Sequence, residues 1–172
     1  QQMPVPALIQ AAPELDGGSY GHWGNQTEQT WRDDRWSKKK LGNRFALPAM
    51  ADGIKIPKAV AVSFDSEHQL SAVFDPISAS FPMIRKQGFV DINDVRHGFM
   101  GGVTLGGIKV HSEAPAPVQG DYQYRGFYRF PDRTVFDYSM DGTRYLDSAS
   151  AVNGRFSREK TVASEHSAYR SI

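Results

Sequence analysis

Asp121-Tyr122-Gln123-Tyr124-Arg125-Gly126-Phe127-Tyr128-Arg129-Phe130-Pro131-Asp132, followed by Arg133–Met140, Asp141-Gly142 and residues 143–148, is the stretch on which the reading of the fold turns. Its opening run alternates. Tyr122, Tyr124, Gly126, Tyr128 and Phe130 are expected on one face and Gln123, Arg125, Phe127 and Arg129 on the other, the period of a half-buried strand. Pro131-Asp132 can reverse the chain, and Asp141-Gly142 favours a two-residue hairpin because both positions tolerate positive φ. That turn sets Met140 opposite Thr143 and Tyr138 opposite Tyr145, so the stretch reads as a three-strand antiparallel meander. Cross-strand aromatic pairs of this kind contribute roughly 0.2–1 kcal/mol each.

The same period runs upstream. Residues 59–65 and 69–75 are β-prone runs separated by Ser66-Glu67-His68, a hairpin pattern. Residues 88–92 and 103–111 follow, the latter interrupted by Gly106-Gly107, where a bulge or a close backbone approach is expected. Ala114-Pro115-Ala116-Pro117 is a stiff connector. Many short strands, frequent turns and no convincing long helix give an all-β fold, a β-sandwich or jelly-roll. This body is expected over residues 59–150. Residues 1–58 read as a loop-rich N-terminal arm: Pro4, Pro6, Pro13, the run Asp16-Gly17-Gly18-Ser19-Tyr20-Gly21, and Trp23, Trp31 and Trp36, with one short helix around residues 28–41. Residues 151–172 read as a polar C-terminal tail, a surface strand or a second arm. Two arms suit self-assembly or the gripping of a protein partner.

Composition narrows the function classes. The chain has 172 residues, a net charge of +1, 40% hydrophobic residues and no cysteine. That is one domain with a sizeable core, without the excess of Lys and Arg that phosphate contacts require, so nucleic acid is not an expected partner. Without cysteine there is no thiol nucleophile, disulfide, iron–sulfur cluster or covalent haem. No apolar run is long enough for a membrane-spanning helix. The opening Gln1-Gln2-Met3 is what removal of a leader leaves, and a secreted or periplasmic location is expected from it.

Candidate sites are diffuse. His22, His68, His97, His111 and His166 show no helical ligand spacing, and no metal or other cofactor is expected. His97 lies close enough in sequence to His111 to meet it across the Gly-rich segment. Asp65, Asp75, Asp91 and Asp94 lie near strand ends, where carboxylates pair for glycosidic chemistry and where aspartate also simply closes turns. Tyr122, Tyr124 and Tyr128 form either a stacking platform for sugar rings or one side of a core. With that face turned inward, Arg125 and Arg129 point outward together as a contact for an anionic ligand or partner. Lys38-Lys39-Lys40 reads as a solvated loop. No nucleophile elbow, phosphate loop, dinucleotide fingerprint or His-Glu-x-x-His helix is present.

Val62-Ser63-Phe64-Asp65 with Leu70-Ser71-Ala72-Val73-Phe74-Asp75, His97-Gly98, and Tyr124-Arg125-Gly126-Phe127-Tyr128-Arg129-Phe130-Pro131-Asp132-Arg133-Thr134-Val135-Phe136-Asp137-Tyr138 together resemble an uncharacterised domain. That domain belongs to large secreted proteins of planctomycete-type bacteria and stands beside c-type cytochrome and sorbosone-dehydrogenase-like propeller modules. The resemblance spans roughly residues 45–148, and it implies an exported β-rich accessory module working near a redox partner or on carbohydrate. It brings no catalytic residues. The chain lacks Cys-x-x-Cys-His, so any haem would belong to another chain or segment.

The expected function is therefore a non-catalytic exported module that binds a glycan or protein partner, or assembles through its arms. Its expected ligand contacts are Tyr122, Tyr124, Arg125, Tyr128, Arg129 and His97. The alternatives are a polysaccharide-active enzyme using Asp65, Asp91, His97 and Tyr128 in a sandwich cleft, and a haem-free subunit of a larger redox complex.

Overall fold

A computed structural model describes residues 42–92 and 103–163. The expected helix near residues 28–41, residues 1–41 and 164–172 of the expected terminal arms, Asp94, His22, His97 and His166 lie outside the described residues. Within them the chain is all-β, thirteen strands in three sheets and no helix.

The centre is the hairpin around Ser66-Glu67-His68. It joins β4 (Val60–Ser63) to β5 (Leu70–Asp75), with Val60 opposite Phe74 and Ser63 opposite Ser71. The Asp65 carboxylate closes the turn by accepting the amides of Glu67 at 3.0 Å, Gln69 at 2.9 Å and Leu70 at 3.2 Å. β1 (Arg44–Ala46) flanks β4, while β6 (Ser80–Lys86) and then β9 (Ile108–Ser112) flank β5, giving the order β1-β4-β5-β6-β9.

Every residue of β4 and β5 is buried, because this sheet is covered on both faces. The sequence shows how. Val60, Val62, Leu70, Ala72 and Phe74 pack into one core, and the alternate positions Ala61 and Val73, with Ala59 and Met83, pack into a second. Bulk goes mainly to one side and small residues mainly to the other. Buried Ser63 and Ser71 are satisfied locally: Ser63 donates to the Asp65 carbonyl at 2.9 Å and Ser71 to the Gly88 carbonyl at 2.7 Å.

The thinner core is closed by a small mixed sheet of β2 (Ala49–Ala51), β3 (Ile54–Ile56), β7 (Val90–Ile92) and β8 (Val103–Leu105) in the order β3-β2-β8-β7. Ile56, Phe89, Val103 and Leu105 fill it. The close backbone approach expected at Gly106-Gly107 is present, since a Cβ on Gly107 would stand 2.5 Å from the Lys86 carbonyl oxygen. Strands β1 to β3 place β structure upstream of residue 59, inside the stretch expected to be loop-rich.

The thicker core is closed by the meander of β10 (Tyr122–Arg129), β11 (Arg133–Met140), β12 (Thr143–Val152) and β13 (Arg155–Val162). Tyr138 pairs with Tyr145 and Met140 with Thr143, the register that Asp141-Gly142 dictates. Both turn residues have positive φ, 49° and 77°. A second turn of the same kind, Asn153-Gly154 at 51° and 69°, adds the fourth strand. The meander and the central sheet form a sandwich. Phe74 and Phe136 stack across it with ring centroids 3.9 Å apart.

One expectation about the deciding stretch is overturned. β10 does not alternate strictly, because its register against β11 shifts between Tyr124, opposite Tyr138, and Gly126, opposite Asp137. Arg125 is the extra residue of a β-bulge, and Gly126 takes φ 137°, a value that side-chain-bearing residues rarely adopt. Beyond the bulge the faces exchange. Phe127 turns inward onto the core, and Tyr128 turns outward.

Among the described residues no helix is long and apolar enough to cross a membrane.

Candidate binding site

The expected tyrosine platform is divided by the bulge. Tyr122 and Tyr124 are half-buried against the thick core, near Tyr138 and Phe74 respectively, so these two serve as packing. Tyr128 stands on the opposite face and donates to Asp137 at 3.3 Å. Arg125 and Arg129 do not share a face: Arg125 occupies the bulge, and Arg129 pairs with Thr134 on the core-facing side, in line with Phe127 and Phe136.

The packed tyrosines are electrostatically unusual. Both the Tyr122 and the Tyr124 hydroxyls are buried, with no hydrogen-bond partner among the described residues. Burial, and then the Asp137 charge, push the Tyr124 phenol up to about 12. Burial also raises Tyr122 and, with help from Asp147, Tyr138. An alkaline weakening of the fold follows. Below the ordinary tyrosine value of 10.0 both states keep these protons. Above it the unfolded chain releases protons that the folded chain retains, so stability falls as pH rises through about 12. Tyrosinate absorbance is expected to show Tyr122, Tyr124 and Tyr138 titrating late. Tyr124→Phe should flatten the alkaline slope; an unchanged slope would count against the burial argument.

The carboxylates divide similarly. Asp65 holds its own turn, and Asp75 accepts the Ile77 amide at 3.0 Å. Asp91 is exposed on β7. Among the described residues no group of three or more His, Asp or Glu side chains is arranged to hold a metal. His68 is engaged locally, with Nδ1 2.8 Å from the Ser63 hydroxyl and its ring stacked on Phe89.

Two carboxylates stand out because they are buried in the meander and each grips an arginine. Asp137, on the outer face, is held by Arg144 in a two-pronged contact of 2.9 and 2.6 Å. Asp147, on the inner face and fully buried, accepts from the Tyr138 hydroxyl at 2.8 Å and from Arg158 Nε at 2.9 Å. Those hydrogen bonds hold Arg158 above its ordinary value despite its burial. Arg158 also donates to the Ala79 carbonyl at 2.9 Å and lies over the Phe81 ring. Its guanidinium is thereby fixed in place.

That guanidinium opens onto a cleft of about 570 Å³ between β6 and β9 of the central sheet and β13 of the meander. Phe81, Ile84 and Phe156 make its floor, while Ser80, His111 and Glu113 supply polar groups. His111 Nε2 lies 3.8 Å from the Glu113 carboxylate, and both side chains are well exposed. Of the expected ligand residues that are described, Tyr122, Tyr124, Arg125, Tyr128 and Arg129, none lines this cleft. Of its lining, the sequence marks His111 as a candidate site residue, toward His97, which lies outside the described residues, and Ala114, Pro115 and Ala116 only as a connector. The missed signal was Asn153-Gly154: read as a hairpin it makes Arg155–Val162 a strand and sends Phe156 and Arg158 inward together.

Comparison with known protein families, with curated proteins and with solved structures finds no match for this chain.

Proposed function

We propose that the chain is a non-catalytic exported β-sandwich module that binds a glycan in the cleft between β6, β9 and β13. The observation that carries this reading is the cleft itself. Its volume falls in the range of small-ligand sites, and it combines aromatic surface with a few fixed polar groups, the arrangement that orients a sugar ring. Arg158 is pre-organised by Asp147 and Ala79, so little side-chain freedom would be lost on contact. The competing enzymatic reading draws no support from Asp65 and Asp75, whose carboxylates are committed to their own turns.

The test is a glycan library screened by calorimetry, with binders mapped by amide chemical-shift changes. Binding should perturb Ile84, His111 and Phe156. His111→Ala and Glu113→Ala, both exposed, should each weaken it about tenfold, equivalent to about 1.4 kcal/mol, without moving the melting temperature. A library without a binder, or a binder indifferent to both variants, overturns the reading. Shifts produced by an extended peptide in place of any glycan would reassign the cleft to a protein partner.

A further inference from the structure

The opposite flank of the sandwich, where β1 and β10 run along the other edges of their sheets, carries an electrostatic imbalance. Arg44 reaches from β1 across to the turn between β10 and β11. Its Nε donates to the Thr134 hydroxyl at 3.0 Å, and its Nη2 donates to the carbonyls of Phe130 at 3.0 Å and Arg133 at 3.2 Å. The guanidinium is half-buried and anchored at three points, all of them neutral.

The other anchored arginines are treated differently. Arg85 closes on Asp52 at 2.6 Å, Arg144 on Asp137 and Arg158 on Asp147. A partly buried cation is normally compensated in this way, because desolvation costs more than neutral acceptors return. Arg44 meets no carboxylate among the described residues, and its neighbour is a second cation. Arg129 sits on β10 directly opposite Thr134, the residue that Arg44 holds. Burial, and then the Arg129 charge, pull Arg44 below its ordinary value. The one acidic side chain at this turn, Asp132, is engaged with Arg133 at 3.2 Å. Among the described residues Arg44 thus has acceptors on Nε and Nη2 but none on Nη1, and with exposed Arg129 two positive charges share one corner of a chain whose net charge is only +1.

We propose that Arg44 and Arg129 hold a single oxyanion, a sulfate, phosphate or carboxylate group, between their guanidinium groups at the β1/β10 flank. The fork of a guanidinium matches such groups in geometry, and one anion between two arginines replaces their repulsion with two charge-assisted contacts. The site is separate from the glycan cleft. Its failure would leave that reading untouched.

The experiment titrates the protein with sodium sulfate and with sodium acetate against sodium chloride at equal ionic strength, following the melting temperature and the arginine Nε–Hε resonances. Sulfate or acetate should raise the melting temperature by about 2–4 °C beyond chloride. The same anion should shift the Arg44 resonance. Whichever of the two acts identifies the group as tetrahedral or planar. Arg129→Gln, at an exposed position, should fold normally and lose both responses. A rise of equal size in Arg129→Gln would be the general salting effect of sulfate, and would overturn the proposal. So would equal responses to chloride, or an Arg44 resonance that none of the salts moves.

Discussion

Arg158→Met is expected to lower the free energy of unfolding by about 3 kcal/mol, the low end of the range for breaking a buried ion pair. The loss comes from what stays behind. Asp147 is fully buried in the inner face of the meander and, among the described residues, would keep the Tyr138 hydroxyl alone as a side-chain partner. Arg158 itself is about a third exposed, so some of its charge is already screened by water, and this places the effect at the low end. Methionine preserves much of the packing on Phe81, which separates lost charge from lost contact. The discriminating measurement is the triple variant Asp147→Val, Arg158→Met, Tyr138→Phe. Replacing the whole network by apolar groups should return stability to within about 1 kcal/mol of the parent. Urea midpoints at constant slope would read both effects. A triple variant as weak as the single one would show that the network contributes net stability.

Phe136→Ala should cost about 3–5 kcal/mol, a large share of the 5–15 kcal/mol that keeps a domain folded. Phe136 is completely buried, stacked on Phe74 and met edge-on by Phe81, so it joins β11 of the meander to β5 and β6 of the central sheet. Removing it leaves a cavity where Phe136, Phe74 and Phe81 bridge the two layers. Phe74→Ala should cost a similar amount, and the double variant should cost less than the sum by about 0.5–1.5 kcal/mol, the coupling of an aromatic pair. Strict additivity would mean that the stacking carries no energy beyond area. Near-ultraviolet circular dichroism should also lose intensity in both single variants.

The parts of this fold legible in the sequence are those that local chemistry decides. Asp141-Gly142 fixes a turn because both residues accept positive φ, and the register of Tyr138 on Tyr145 follows from the turn alone. The runs around Ser66-Glu67-His68 pair for the same local reason. The bulge at Arg125 was not legible as alternation. A glycine within a strand signals a possible face change only when the partner strand is known, and here it is Asp137 opposite Gly126 that reveals it. The cleft was less legible still. Phe81, Ile84, His111, Phe156 and Arg158 come from three strands that are distant in sequence, and nothing local to any of them announces the others. Asn153-Gly154 was the exception, a turn signal that would have placed Arg158 beside Asp147 and with it one wall of the cleft.

The two-sided burial of β4 and β5 has a consequence for mispairing. In a sheet with one wet face, a strand that slips by one residue exposes apolar groups, and the penalty is hydrophobic. In this protein there is no wet face to slip toward. A slip of β5 would drive Phe74 into the narrow core built around Ala49, Ala59 and Ala61, and would leave Ser71 facing the gap that Phe136 and Tyr138 expect to fill. One side would clash while the other stood empty. The unequal bulk of the side chains that β4 and β5 send into the two cores therefore acts as a key, which rejects the wrong register sterically before any polar group is consulted.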